Sequence, residues 1–104
     1  MKDYASMSDY EIAEKIGKAI GLGNIGGCLY IKSGVWTRFD PCNNPADAWP
    51  ILLENHIAVA PYRHTLPLAW PTAFGLVSKF TTEDANPLRA GMVTFLKMKE
   101  SEND

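Results

Sequence analysis

Phe39-Asp40-Pro41-Cys42-Asn43-Asn44-Pro45-Ala46-Asp47-Ala48-Trp49-Pro50 sets three prolines, two asparagines and a tryptophan between a predicted strand and a predicted helix. Prolines fix φ and remove donors, asparagines offer side-chain hydrogen bonds to the backbone, and the indole ring asks for burial with an N–H partner. The stretch reads either as a rigid structural corner or as a binding edge. At its end Asn44 is an N-cap, Pro45 takes the first helical position, and Asp47 in the first turn meets the favourable end of the helix dipole. Pro50 leaves two readings open: a helical turn at 45–49 that hands over to a second helix, or one kinked helix reaching about residue 54.

Upstream of the corner, 28–32 and 35–39 are two β-rich runs separated by Ser33-Gly34, the pattern of a tight hairpin. Trp36 and Arg38 alternate with Val35, Thr37 and Phe39, so one face of the ribbon is aromatic and partly charged. Earlier still, Ser8 and Glu11 form a capping box, with Met7 placed to staple against Ile12. A helix over 9–20 follows, its apolar stripe made of Ile12, Ala13, Ile16, Ala19 and Ile20. Gly21 and Gly23 end it, and 24–27 form a loose connection. The glycines at 21–27 follow a helix and precede a strand, the reverse of a phosphate-cradling loop, and no Gly-Lys-Ser/Thr accompanies them.

Downstream, Asn55 caps the second helix and Ile57-Ala58-Val59-Ala60 reads as a strand halted by Pro61. Residues 62–71 hold Tyr62, Arg63, His64, Trp70 and two prolines in an expected exposed loop, and 72–80 reads as a further strand. Asn86 and Pro87 open the last helix, whose stripe is Leu88, Gly91, Met92, Phe95 and Leu96. The polar stretch 97–104 is expected to fray as a short C-terminal tail. The order is α-β-β-α-β-β-α: one α+β domain over 1–104, with about four strands in a small antiparallel sheet and three helices.

Composition narrows the function classes. The chain has 104 residues, 46% of them apolar, and a formal charge of −2. That is enough for a core without staples, and it carries no basic excess of the kind nucleic-acid binding requires. Cys28 and Cys42 form no C-x-x-C pair, and the N-terminus shows no secretory pattern, which predicts a reduced, cytoplasmic protein. No apolar run approaches the roughly 20 residues of a membrane span. The two cysteines with His56 and His64 give no zinc spacing, so no metal and no cofactor are expected. Nor does a local signature support Cys42 as a thiol nucleophile with a histidine base.

Together, the corner from Phe39 to Leu52, Trp70, and Asn86-Pro87-Leu88-Arg89-Ala90 resemble the NinX-like family of small proteins encoded by lambdoid phages and prophages. The resemblance covers most of the chain. Its features are an early Ser-x-x-Glu helix, an aspartate-tryptophan segment leading into Pro-Ile-Leu, an isoleucine-led strand, a tryptophan, and a closing helix opened by Asn-Pro. It implies a phage accessory protein acting in the cytoplasm of a bacterial host, and it carries no catalytic residues with it.

Two expectations from different classes follow. One is a non-catalytic module that binds and modulates a host protein through exposed aromatics around Trp36, Tyr62 and Trp70. The other is a binder that sequesters a small anionic, nucleotide-derived ligand with Arg38, Arg63, Arg89 and a stacking aromatic. Asp40, Asn43 and Trp49 of the corner complete the candidate residues. Against both stands a structural role, in which the tryptophans anchor core and corner. Arg89, a cation in the unfavourable first turn of its helix, would then pair with Asp40, Asp47 or Asp84. Homo-oligomerisation through an uncovered sheet face is a further expectation.

Overall fold

The computed structural model describes residues 3–22, 29–32 and 34–102. After a 3-10 turn at Tyr4–Ser6 come α1 (Asp9–Ala19), β1 (Leu29–Lys32), β2 (Val35–Arg38), α2 (Pro45–Glu54), β3 (Ile57–Ala60), β4 (Leu68–Pro71), β5 (Thr82–Glu83) and α3 (Pro87–Glu102). This is the expected α+β class with its three helices and antiparallel strands. The expected order holds, with a two-residue β5 added before the last helix. The readings of Cys28, of the 23–27 connection and its glycines, and of Ser33 in the turn lie outside the described residues.

The helix starts follow from their caps. Ser8 Oγ accepts the Glu11 N–H at 3.1 Å while the Glu11 carboxylate accepts the Ser8 N–H at 3.3 Å, a complete capping box. Asn44 Oδ1 accepts the Ala46 N–H at 3.0 Å, and Asn86 Oδ1 accepts the Leu88 N–H at 3.0 Å. Helix α2 runs unbroken through Pro50, which settles the two readings of that segment in favour of one helix. It closes at Asn55, and His56 takes the left-handed φ of 55° just beyond. In α1 the buried stripe is Ile12, Ala13, Ile16 and Gly17, so Ala19 and Ile20 lie outside it and are exposed.

The strands divide into two sheets. β1 and β2 form a separate antiparallel ribbon, with Leu29 opposite Arg38 and Ile31 opposite Trp36, while β3, β4 and β5 form a three-stranded sheet with β4 central. The expected strand at 72–80 is instead a series of turns, and the strand sits at Leu68–Pro71, inside the segment read as a loop. Its disguise is Pro71. Because the Thr72 N–H donates to His56 O, the neighbouring Ile57–Pro71 pair is a non-hydrogen-bonded one, so the missing N–H costs the β3 ladder nothing.

Helix α3 is the centre of the molecule. It lies on the sheet, while α1 and α2 pack against it. Eight consecutive residues from Arg89 to Leu96 are therefore buried, where the sequence reading had a single stripe. Contact from more than one side leaves no turn of that segment facing water. Gly91 makes this closeness possible, since a Cβ there would stand 2.6 Å from Leu52 Cδ2 and 3.2 Å from Val59 Cγ2. Thr94 is fully buried, its hydroxyl 3.0 Å from Phe80 O, 3.0 Å from Thr82 Oγ1 and 3.2 Å from Ala69 O, which ties α3 to β4 and β5. The expected fraying from residue 97 is not observed up to Glu102. Lys97 Nζ donates to Thr81 O and Glu100 accepts the Tyr4 hydroxyl at 2.7 Å, holding the last turns in place.

Candidate functional site

The proline-rich corner is built as a structural turn. Phe39, Pro41 and Cys42 are buried, the Asn43 and Asn44 N–H groups donate to Asp40 O at 3.1 and 2.8 Å, and the Asp40 N–H donates to Asp47 Oδ2 at 3.0 Å. Trp49 does not anchor it. Trp49 is 61% exposed, at the flank of the buried face formed by Ala48, Ile51 and Leu52. Small and five-membered side chains fill the corner instead, because the backbone hydrogen bonds inside it leave little room.

From this corner a polar network reaches the starts of all three helices, with Arg89 at its middle. Arg89 is 9% exposed. Its Nη1 donates to Asp9 Oδ1 at 2.6 Å, its Nε to Asp84 Oδ2 at 3.0 Å, and its Nη2 to Tyr4 O at 3.0 Å and also to Met7 O. Asn43 Nδ2 donates to Asp9 Oδ2 at 3.1 Å and lies 3.2 Å from both oxygens of Asp40. Asn86 Nδ2 donates to Cys42 O at 2.6 Å, and the Asn86 N–H donates to Asp84 Oδ1. The expected Arg89–Asp84 pair is present, whereas Asp40 and Asp47 bond elsewhere and Asp9 was not foreseen. Asp9 opens α1 and Asp84 precedes the α3 cap, so an acid at one helix start and another just before the cap, set against a first-turn arginine, were the available signal.

The electrostatics follow from this packing. Burial pushes the Asp9 carboxyl up, but hydrogen bonds from Arg89 and Asn43 and the guanidinium charge hold it below its ordinary value. For Arg89, burial works against the charge and Asp9 and Asp84 more than restore it. Burial first, and then the Asp9 charge, push the Cys42 thiol up to about 12, so it is protonated at neutral pH and is no nucleophile in this state. The arrangement holds charge still, with every guanidinium nitrogen already donating within the chain.

The other candidate residues are scattered over the surface. Arg38 has a 75% exposed side chain and a loose 3.7 Å contact to Asp40, worth little in water. Tyr62 and Arg63 lie exposed on the connection between β3 and β4, and Trp70 is half-buried within β4. The β1–β2 ribbon makes its contacts chiefly within itself. It leaves Val35 64%, Trp36 63% and Leu29 43% exposed, with Trp36, Arg38 and Leu29 on one face. Shallow clefts lie beside Tyr4 and Lys97, beside Asn55 and Lys99, and beside Phe74 and Met98, and none of the three is lined by Arg38, Arg63 or Arg89. Among the described residues no group of His, Cys, Asp and Glu could hold a metal ion, and no helix is long and apolar enough to cross a membrane.

Comparison with known proteins agrees with the resemblance read from the residues. The family described as Bacteriophage P22, NinX matches residues 3–99, and the chain belongs to it. No curated protein and no solved structure matches.

Proposed function

We propose that this member of the NinX phage family is a non-catalytic module that binds and modulates a protein of the bacterial host, acting in the host cytoplasm, with the β1–β2 ribbon as its contact surface. The observation that carries this reading is a ribbon with exposed apolar side chains on which, among the described residues, no helix or strand is closely packed. A lone two-stranded hairpin is marginal in water, and natural hairpins gain stability from a third strand or a covering surface. Here Trp36, Val35 and Leu29 remain uncovered, and Trp36 beside Arg38 is the aromatic-plus-arginine pairing enriched at binding hot spots. Tyr62, Arg63 and Trp70 would extend the contact if the partner reaches them.

The ligand-sequestering reading loses its strongest cation, because the Arg89 guanidinium already donates to Asp9, Asp84 and two carbonyls. It then rests on Arg38, Arg63 and a stacking aromatic. Native mass spectrometry after gentle purification from host lysate separates the two readings, with Trp36→Ser run in parallel. A host polypeptide retained by the wild type and lost from a folded Trp36→Ser protein supports the module. Equal retention by both proteins removes the ribbon as the contact, and a stoichiometric small anionic adduct supports the sequestering reading instead.

A further inference from the structure

The two edges of the three-stranded sheet are protected to different degrees. β5 has two residues, one of them Glu83, and Asp84 follows directly. Short length and charge are the usual guards of a sheet edge. β3, at the other edge, is Ile57-Ala58-Val59-Ala60, without a charge, a bulge or an internal proline, and among the described residues it pairs only with β4.

The ladder register identifies what that edge presents. With Thr72 and His56 hydrogen-bonded and Ile57 opposite Pro71, the ladder to β4 uses the backbone groups of Ala58 and Ala60. The N–H and C=O groups of Ile57 and Val59 point away from β4, toward the open edge. Their side chains face α3, as the Val59 approach to Gly91 shows, so Ala58 and Ala60 occupy the opposite sheet face.

We infer that the β3 edge is the seam of a homodimer, in which two copies of β3 pair antiparallel about a two-fold axis at Ala58. In that register Ile57 of each copy stands opposite Val59 of the other. Each of these is a hydrogen-bonded pair that exchanges both of its bonds, about four in all. Ala58 faces its own counterpart in a non-hydrogen-bonded pair, the closer kind, where a methyl side chain fits. The two three-stranded sheets become one continuous sheet. A second copy is the occupant because the edge is self-complementary: the outward-facing residues are two apart around a small one, and no like charges meet. A specific two-fold interface buries about 800 Å² per partner, more than four backbone bonds bring together. In the inferred dimer the additional apolar area would come from α2, which packs on β3 and α3 and leaves Trp49 61% and Leu53 58% exposed one turn apart.

Cysteine cross-linking tests both the seam and its register. Across a non-hydrogen-bonded antiparallel pair the Cα atoms are about 4.5 Å apart, within the disulfide range of roughly 4.4–6.8 Å. In a Cys28→Ser background, Ala58→Cys is expected to give a disulfide-linked dimer on mild oxidation, and Ala60→Cys to give none. Light scattering should read twice the monomer mass for the wild type. Ala58→Lys should read the monomer mass with an unchanged circular dichroism spectrum. A wild-type monomer at its highest soluble concentration overturns the inference, as does a dimer that cross-links at Ala60→Cys and not at Ala58→Cys. The ribbon lies in the other sheet, so failure here leaves the host-binding reading standing, and failure of that reading leaves this one.

Discussion

The Arg89 network and the β1–β2 ribbon treat interaction capacity in opposite ways. In the network a buried cation meets two carboxylates and two carbonyls, and each guanidinium nitrogen donates to an acceptor within the same chain. In the ribbon a tryptophan, a valine and a leucine stand in water beside an arginine with one distant ion contact. Charge in the network therefore organises the fold, while the ribbon leaves apolar surface exposed. A search for function led by charged residues selects Arg89, whose bonds tie the start of α3 to Asp9 of α1 and to the turn before it, and passes over Val35, which is exposed.

Breaking the network should give the largest effect. Arg89→Ala leaves Asp9 and Asp84 without their cation and removes the guanidinium donor from Tyr4 O and Met7 O, and removing one partner of a buried pair costs about 3–5 kcal/mol. Urea unfolding should show the midpoint fall sharply, and an unchanged midpoint would mean the network is ornamental. Gly91→Ala comes next. The new methyl group meets Leu52 at 2.6 Å, and overpacking of this kind costs about 1–3 kcal/mol, offset in part by the better helix propensity of alanine.

Acid should act on the same network by another route. The folded Asp9 carboxyl titrates below its ordinary value, so its stabilising contribution is complete above the unfolded-state pKa of about 3.9 and is lost as pH falls through the folded value. Thermal melts from pH 6 downward should therefore hold level and then drop below about pH 4, and Asp9→Asn should flatten part of that drop. Cys42 gives a kinetic readout: with its thiol buried and pushed up to about 12, a thiol-directed reagent at neutral pH should modify it only as fast as the chain opens. Trp36→Ser closes the series, with stability moved by no more than about 0.5 kcal/mol and partner retention abolished. A large loss of stability there would erase the contrast, because it would mean the ribbon's apolar face is already in use within the chain.

Local chemistry made much of this fold legible. Ser8 with Glu11, Asn44 with Pro45 and Asn86 with Pro87 each announce a helix start through groups within three residues of one another, and each is realised. Information carried by distant partners stayed hidden. β4 escaped notice because Pro67 precedes it and Pro71 ends it, and only the phase of its ladder with β3 makes Pro71 harmless. The Arg89 pair to Asp84 was within reach at five residues' separation, whereas the bond to Asp9 spans eighty. Trp49 was misplaced because a large aromatic in a constrained loop reads as an anchor. The corner is instead filled by Pro41 and Cys42, and its own backbone hydrogen bonds exclude the ring.

The central position of α3 also constrains the order in which the protein can be made. Synthesis runs from the N-terminus, and the helix that touches α1, α2 and every strand of the three-stranded sheet follows all of them along the chain. Until about Leu96 has emerged, the caps of α1 and α2 can close, but Ile12, Ile16, Ile51, Leu52 and Ala69 have no common surface to bury against. The core therefore closes only once α3 has been made, and a ribosome stalled before Arg89 would carry a chain with its apolar side chains in water.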